Sequence, residues 1–104
     1  MDRLATFRSF IEKSPKDPFP RYGLAMELKG QGRLAEASEA FAELIAGFPT
    51  YVAAYLMAGK VEESLGKPEH AAELYRRGAA EAQAKGDLHS KKELEAALDD
   101  LGLP

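Results

Sequence analysis

The chain has 104 residues, of which 30% are charged and 45% aliphatic or aromatic, the balance of one folded domain rather than of a disordered segment. Its net charge of −3 comes from interleaved acids and bases with no basic tract, which argues against a surface built for the phosphate backbone of nucleic acids. With no cysteine, disulfides and thiolate metal sites are excluded and a reducing interior is permitted.

The opening stretch MDRLATFRSFIEKSP is charged at Asp2, Arg3, Arg8 and Glu12 and lacks the apolar centre of a signal peptide. No apolar run approaches the roughly 20 residues that span a bilayer, so no membrane association is expected and the expected location is the cytoplasm. Within that stretch Leu4, Phe7, Phe10 and Ile11 form one helical stripe, predicting a helix near 2–13 that stops at Ser14-Pro15.

A second helix is predicted near 18–30, with Asp17 as N-cap, Pro18 at the first helical position and a stop at Gly30 to Gly32. The third, near 34–47, carries Ala37, Phe41, Leu44 and Ile45 in register with Phe48 and ends at Gly47 to Pro49. A fourth follows near 51–65 with Thr50 as its N-cap, and a fifth near 68–85 after Gly66 to Pro68. The last, near 88–101, starts at Asp87 and repeats Leu94, Ala97, Leu98 and Leu101 on one face. Ser90 and Glu93 are spaced there as a capping box. Gly32, Gly66 and Gly86 stand where a left-handed residue closes a helix. The β-branched residues are only Val52, Val61, Ile11, Ile45, Thr6 and Thr50, so the fold class is all-α.

The helices repeat. Sliding residues 18–51 onto 52–85 superimposes Gly32 on Gly66, Ala37 on Ala71, Glu39 on Glu73 and Ala46 on Ala80, and places Phe41 on Tyr75 and Ala25 on Gly59. Small residues at 25, 37, 59 and 71 admit close helix approach, and the aromatics fill gaps between helices. A period of 34 with this residue order resembles the tetratricopeptide repeat. The family's hallmark positions fall on Leu24, Ala25, Gly32, Ala37, Phe41 and Pro49, then on Tyr55, Gly59, Gly66, Ala71 and Tyr75. Departures are Arg21 where the family favours an aromatic, Leu44 where it favours a small residue, and Gln83 in place of the closing proline. The resemblance spans about 85 residues and predicts one domain: a half-repeat at 1–17, repeats at 18–51 and 52–85, and a C-terminal capping helix within 86–104, where the register breaks.

The resemblance implies a right-handed superhelix whose concave face, lined by the first helix of each pair, holds an extended or helical segment of another protein. The corresponding positions are Phe19, Tyr22, Met26 and Lys29 in the first repeat and Ala53, Leu56, Lys60 and Glu63 in the second. An aromatic–methionine stripe suits an adaptable apolar anchor site. Two readings stay open: the stripe is a groove, or the N-terminal helix covers it through Phe10 and Ile11. Family members that grip a chaperone's C-terminal carboxylate use lysine and asparagine on this wall. This chain has no asparagine, and Lys60 alone is no clamp.

No catalytic constellation is visible. His89 and Glu93 are four residues apart, but two ligands fall short of the three or four that a metal site needs. His70 begins a helix where a solvated polar residue is ordinary. KGQGR follows a helix and lacks the Lys-Ser/Thr pair of a phosphate loop. The acids Glu93, Glu95, Asp99 and Asp100 make a wet face that keeps a solenoid end soluble, or else a dock for a basic partner. The expectation is a non-enzymatic adaptor without cofactor or metal that binds another protein. The alternative is a structural module that self-associates as a homodimer, the apolar half-repeat at the N-terminal end being closed by a second copy.

Overall fold

The computed structural model describes residues 2–104 as six helices: α1 (Arg3–Lys13), α2 (Pro18–Gly30), α3 (Leu34–Gly47), α4 (Ala53–Ser64), α5 (Pro68–Lys85) and α6 (Leu88–Asp100). Met1, the first residue of the segment placed at 1–17, lies outside the described residues.

Aspartates open three of these helices. Asp2 accepts from the Ala5 amide at 2.8 Å, Asp17 from Phe19 at 3.0 Å and Asp87 from Ser90 at 3.1 Å, each satisfying an amide that has no intrahelical partner. Pro18 and Pro68 occupy first-turn positions where a missing N–H costs nothing. Glycines close three. Gly32, Gly66 and Gly86 have φ of +75°, +76° and +73°. In each case the next residue donates back over the glycine, Arg33 to Leu28 at 3.0 Å, Lys67 to Glu62 at 2.9 Å and Asp87 to Ala82 at 2.9 Å. These are Schellman closures, and they fix the angle at which the chain reverses.

Two expectations about caps are corrected. Thr50 does not cap α4: the turn runs on through Tyr51, and Val52 precedes the helix in helical conformation without a side-chain cap. Ser90 is not the start of a capping box. It lies inside α6, where its amide is a donor to Asp87, the stronger acceptor at the true N-cap.

The helices stack in two layers. Each packs antiparallel on its neighbours in the chain, while α2 meets α4 and α4 meets α6, so that α2, α4 and α6 form one layer and α1, α3 and α5 the other. The particle measures 44 × 30 × 19 Å. A continuous core runs between the layers through Ala25, Phe41, Leu44, Tyr55, Val61 and Tyr75 to Leu94. The last helix, expected as a capping helix with one apolar face, packs that face on α5 and reaches α4 with Leu94 and Ala97 buried. It therefore stands where the first helix of a further pair would stand.

Close approach is what the small residues provide. A Cβ on Gly59 would fall 2.6 Å from Cζ of Tyr75, and one on Gly78 would fall 2.5 Å from Cβ of Tyr55. The α4–α5 pair is thus held by two aromatic residues, each lying against a glycine of the facing helix. Gly59→Ala is expected to destabilise the protein by about 1–3 kcal/mol, because neither ring can move away within a packed core. Gly66→Val is expected to cost about 1–2 kcal/mol through backbone strain at positive φ, with no steric clash involved. Urea midpoints of both variants check this, and an unchanged midpoint for either would contradict the corresponding contact or turn.

Candidate functional site

Five of the eight predicted groove residues line two neighbouring hollows. Tyr22, Ala53 and Leu56 surround a hollow of about 150 Å³ between α2, α4 and α6, joined there by Met57 and by Ser90 and Glu93 of α6. Phe19 and Met26 line a second, shallower hollow of about 300 Å³ together with Arg3 and Phe7 of α1. Tyr22 borders both, and its ring forms the wall between them. Lys29, Lys60 and Glu63 line neither hollow.

Tyr22 is held from two sides. Its ring meets Phe41 edge-on at 6.3 Å and tilts against Tyr51 at 5.6 Å, so it is a fixed anchor rather than a swinging one. Burial and the neighbouring Tyr51 push its phenol pKa up, which keeps the hydroxyl protonated as a donor. Met26 and Leu56 are half-buried against the core, while Phe19 exposes 64% of its surface. Ala53 is exposed at the rim.

Lys60 and Glu63 are turned to local tasks. Glu63 accepts a short hydrogen bond from the Tyr75 hydroxyl, while Lys60 sits 3.7 Å from the Glu63 carboxylate and 5.9 Å above the Tyr75 ring. Desolvation first, then the hydrogen bond and charge of Glu63, raise the Tyr75 pKa well above the ordinary phenol value.

The cover from α1 is also different from the expected one. Phe7, with Arg3 beside it, reaches the α2 stripe, its ring lying where Gly23 has no side chain. Phe10, expected to do this with Ile11, is 49% exposed.

Sequence reasoning missed Ser90 and Glu93 because α6 was treated as a cap. The 34-residue step gave only a partial signal: it leads from Tyr22 to Leu56 to Ser90, but the buried Leu94 and Ala97 follow Gly59 and Glu62 by 35, so the register slips by one residue in α6. It also missed a polar cluster on the opposite side of the molecule. Glu62 of α4 is 3% exposed; its carboxylate accepts from Ser38 of α3 at 2.9 Å and lies 2.6 Å from Nδ1 of His70 on α5. Because Ser38 bonds to Glu62 and not to the imidazole, the cluster lacks the nucleophile–base contact of acyl transfer. His89 and Glu93 do meet, at 3.2 Å, as an exposed pair. Among the described residues no group of three or more His, Asp or Glu could hold a metal ion, and no helix is long and apolar enough to cross a membrane.

Paired antiparallel helices in two layers, turning on glycines 34 residues apart, define a helix-hairpin solenoid. The solution structure of a tetratricopeptide repeat domain protein from Salinibacter ruber is 34% identical over 86% of this chain and 92% of its own, with a TM-score of 0.81. A crystal structure of a tetratricopeptide repeat domain protein from the same organism is 32% identical over 83% and 97%, at 0.78. A protein of Bordetella parapertussis, 22% identical over 98% and 89% with a TM-score of 0.83, shares the fold. No protein-family model matches the sequence, and neither does any curated protein. The chain belongs to the tetratricopeptide repeat family.

The tyrosines imply a pH dependence. All four, Tyr22, Tyr51, Tyr55 and Tyr75, have raised pKa values, with burial as the first cause in each. An unfolded tyrosine ionises near pH 10, so above that pH the folded state binds more protons than the unfolded one and stability falls as pH rises. The urea midpoint is therefore expected to be constant in this respect below about pH 9 and to drop beyond pH 10. Tyr75→Phe should lower the midpoint at neutral pH, by losing the bond to Glu63, and make the alkaline drop shallower. A drop as steep as in the parent protein would contradict the role given to Tyr75.

Proposed function

We propose that the protein is a non-catalytic interaction scaffold that holds a helical or extended segment of another protein against α2, α4 and α6. The observation that carries this reading is the convergence of Tyr22, Leu56 and Ser90, one side chain from each of three successive first-layer helices, around a single hollow. The coarser half of the statement, a protein-interaction module, follows from membership of the tetratricopeptide repeat family.

An apolar floor beside polar Ser90 and Glu93 suits an amphipathic segment whose anchors recur every three or four residues. Such an anchor would enter beside Tyr22, whose ring is already immobilised and so loses little entropy on binding. Phe19 and Met26, on the other side of Tyr22, would extend the contact toward α1.

A second reading is a homodimer closed through the N-terminal end. It is favoured by Phe10 and Phe19, which leave 49% and 64% of their surface in solvent on adjacent helices. Light scattering over a wide concentration range separates the two. A monomer throughout supports the scaffold, and a dimer that Phe10→Glu dissociates supports the second reading. For the scaffold, Met26→Glu with Leu56→Glu is expected to abolish retention of partners from cell lysate while circular dichroism stays unchanged. Retention by the double variant would sink the groove assignment.

A further inference from the structure

The opposite side of the molecule holds a different kind of site. The second-layer helices α3 and α5 pass without packing on each other, and a hollow of about 200 Å³ lies between them above α4. Phe41 and Ile45 of α3 and Leu74 of α5 make its apolar walls, and Ala58 and Glu62 of α4 line its base. Along α5, His70, Leu74 and Arg77 recur at i, i+4 and i+7, so one stripe of that helix places a polar group at each end of the hollow and a leucine at its middle.

The two ends differ in what they offer. At one end the Glu62 carboxylate is 3% exposed and has both oxygens engaged, one by Ser38 and one by His70. At the other end Arg77 has its guanidinium carbon 5.6 Å from the centroid of the Tyr55 ring. Glu73 and Glu81 stand one turn to either side of it, yet among the described residues Arg77 enters no ion pair. The contact extends to the Tyr55 hydroxyl, but a guanidinium carries five N–H donors, so others remain to face the hollow.

We propose that this cleft binds a small monocarboxylate with a branched-alkyl or aryl body, the body lying between Phe41, Ile45 and Leu74 and the carboxylate on Arg77. Size is adequate, since an apolar cavity of about 150 Å³ suffices to take up benzene. Orientation follows from the polar ends: the Glu62 oxygens are already engaged by Ser38 and His70, whereas Arg77 carries a positive charge outside any ion pair. A carboxylate–guanidinium contact is charge-assisted and bidentate, whereas the matching alcohol or amine gains no such bond there.

The test is a titration with 4-methylpentanoate, 4-methylpentan-1-ol and 4-methylpentylamine, followed through the NMR signals of Ala42, Ala46 and His70. The carboxylate should saturate at around millimolar concentration and bind about tenfold or more tightly than the alcohol. Arg77→Gln should remove that advantage, Arg77→Lys should keep part of it, and Ala42→Phe, at an exposed lining position, should block all binding, each with an unchanged thermal melt. Equal binding of acid and alcohol, preference for the amine, or no saturable shift with any probe overturns the proposal. An acetylated dipeptide ending in leucine presents the same carboxylate at a chain terminus. Tighter binding of that dipeptide identifies a peptide end as the source, and tighter binding of 4-methylpentanoate identifies a free acid.

Discussion

The molecule depends on aromatic rings laid against glycines. Tyr75 occupies the space that a side chain at Gly59 would need, Tyr55 packs against Gly78, and Phe7 does the same at Gly23. These contacts let helices of opposite layers approach more closely than ordinary side chains permit, and they bury rings that contribute more apolar area than any other residue type. They also set the polar geometry around them. With its ring fixed on α4, the Tyr75 hydroxyl reaches only Glu63, and with Tyr55 fixed beneath α5 its hydroxyl reaches the Pro49 carbonyl at 2.5 Å, tying the second pair to the turn that precedes it. Lys60 and Glu63 are drawn into this arrangement through the Tyr75 ring and hydroxyl.

What was legible in the sequence was what repeats or punctuates locally. Asp17-Pro18 and the glycines at 32, 66 and 86 act through their own backbone, so their effect does not depend on tertiary context. The failures lie where a choice between neighbours is settled by packing. Thr50 could cap a helix, but Tyr51 and Val52 continue the turn past it, with Val52 buried in the core. Phe7 and Phe10 lie on the same stripe of α1, and the absent side chain of Gly23 selects Phe7. Glu62 sits on the buried stripe of α4, in line with Tyr55, Ala58 and Gly59, so its burial could be inferred from periodicity. Its partners could not, since Ser38 and His70 come from two other helices.

The third helix of the first layer shows the same limit from another side. Chemical identity fades after residue 85, where none of the hallmark residues recurs, yet Leu94 and Ala97 still bury the face that meets α4 and α5. A repeat survives structurally as long as its buried face fits the preceding pair, whatever its hallmark positions hold. That is why Ser90, an unremarkable serine by composition, comes to stand beside Tyr22 and Leu56.

Phe41 lies between the two hollows on opposite sides. Its buried ring meets Tyr22 edge-on, and Tyr22 is the wall of the first-layer hollow; the same ring forms part of the cleft between α3 and α5. Phe41 is thus the buried side chain that lies between the two faces, lining the cleft between α3 and α5 directly and reaching the other hollow only through its contact with Tyr22.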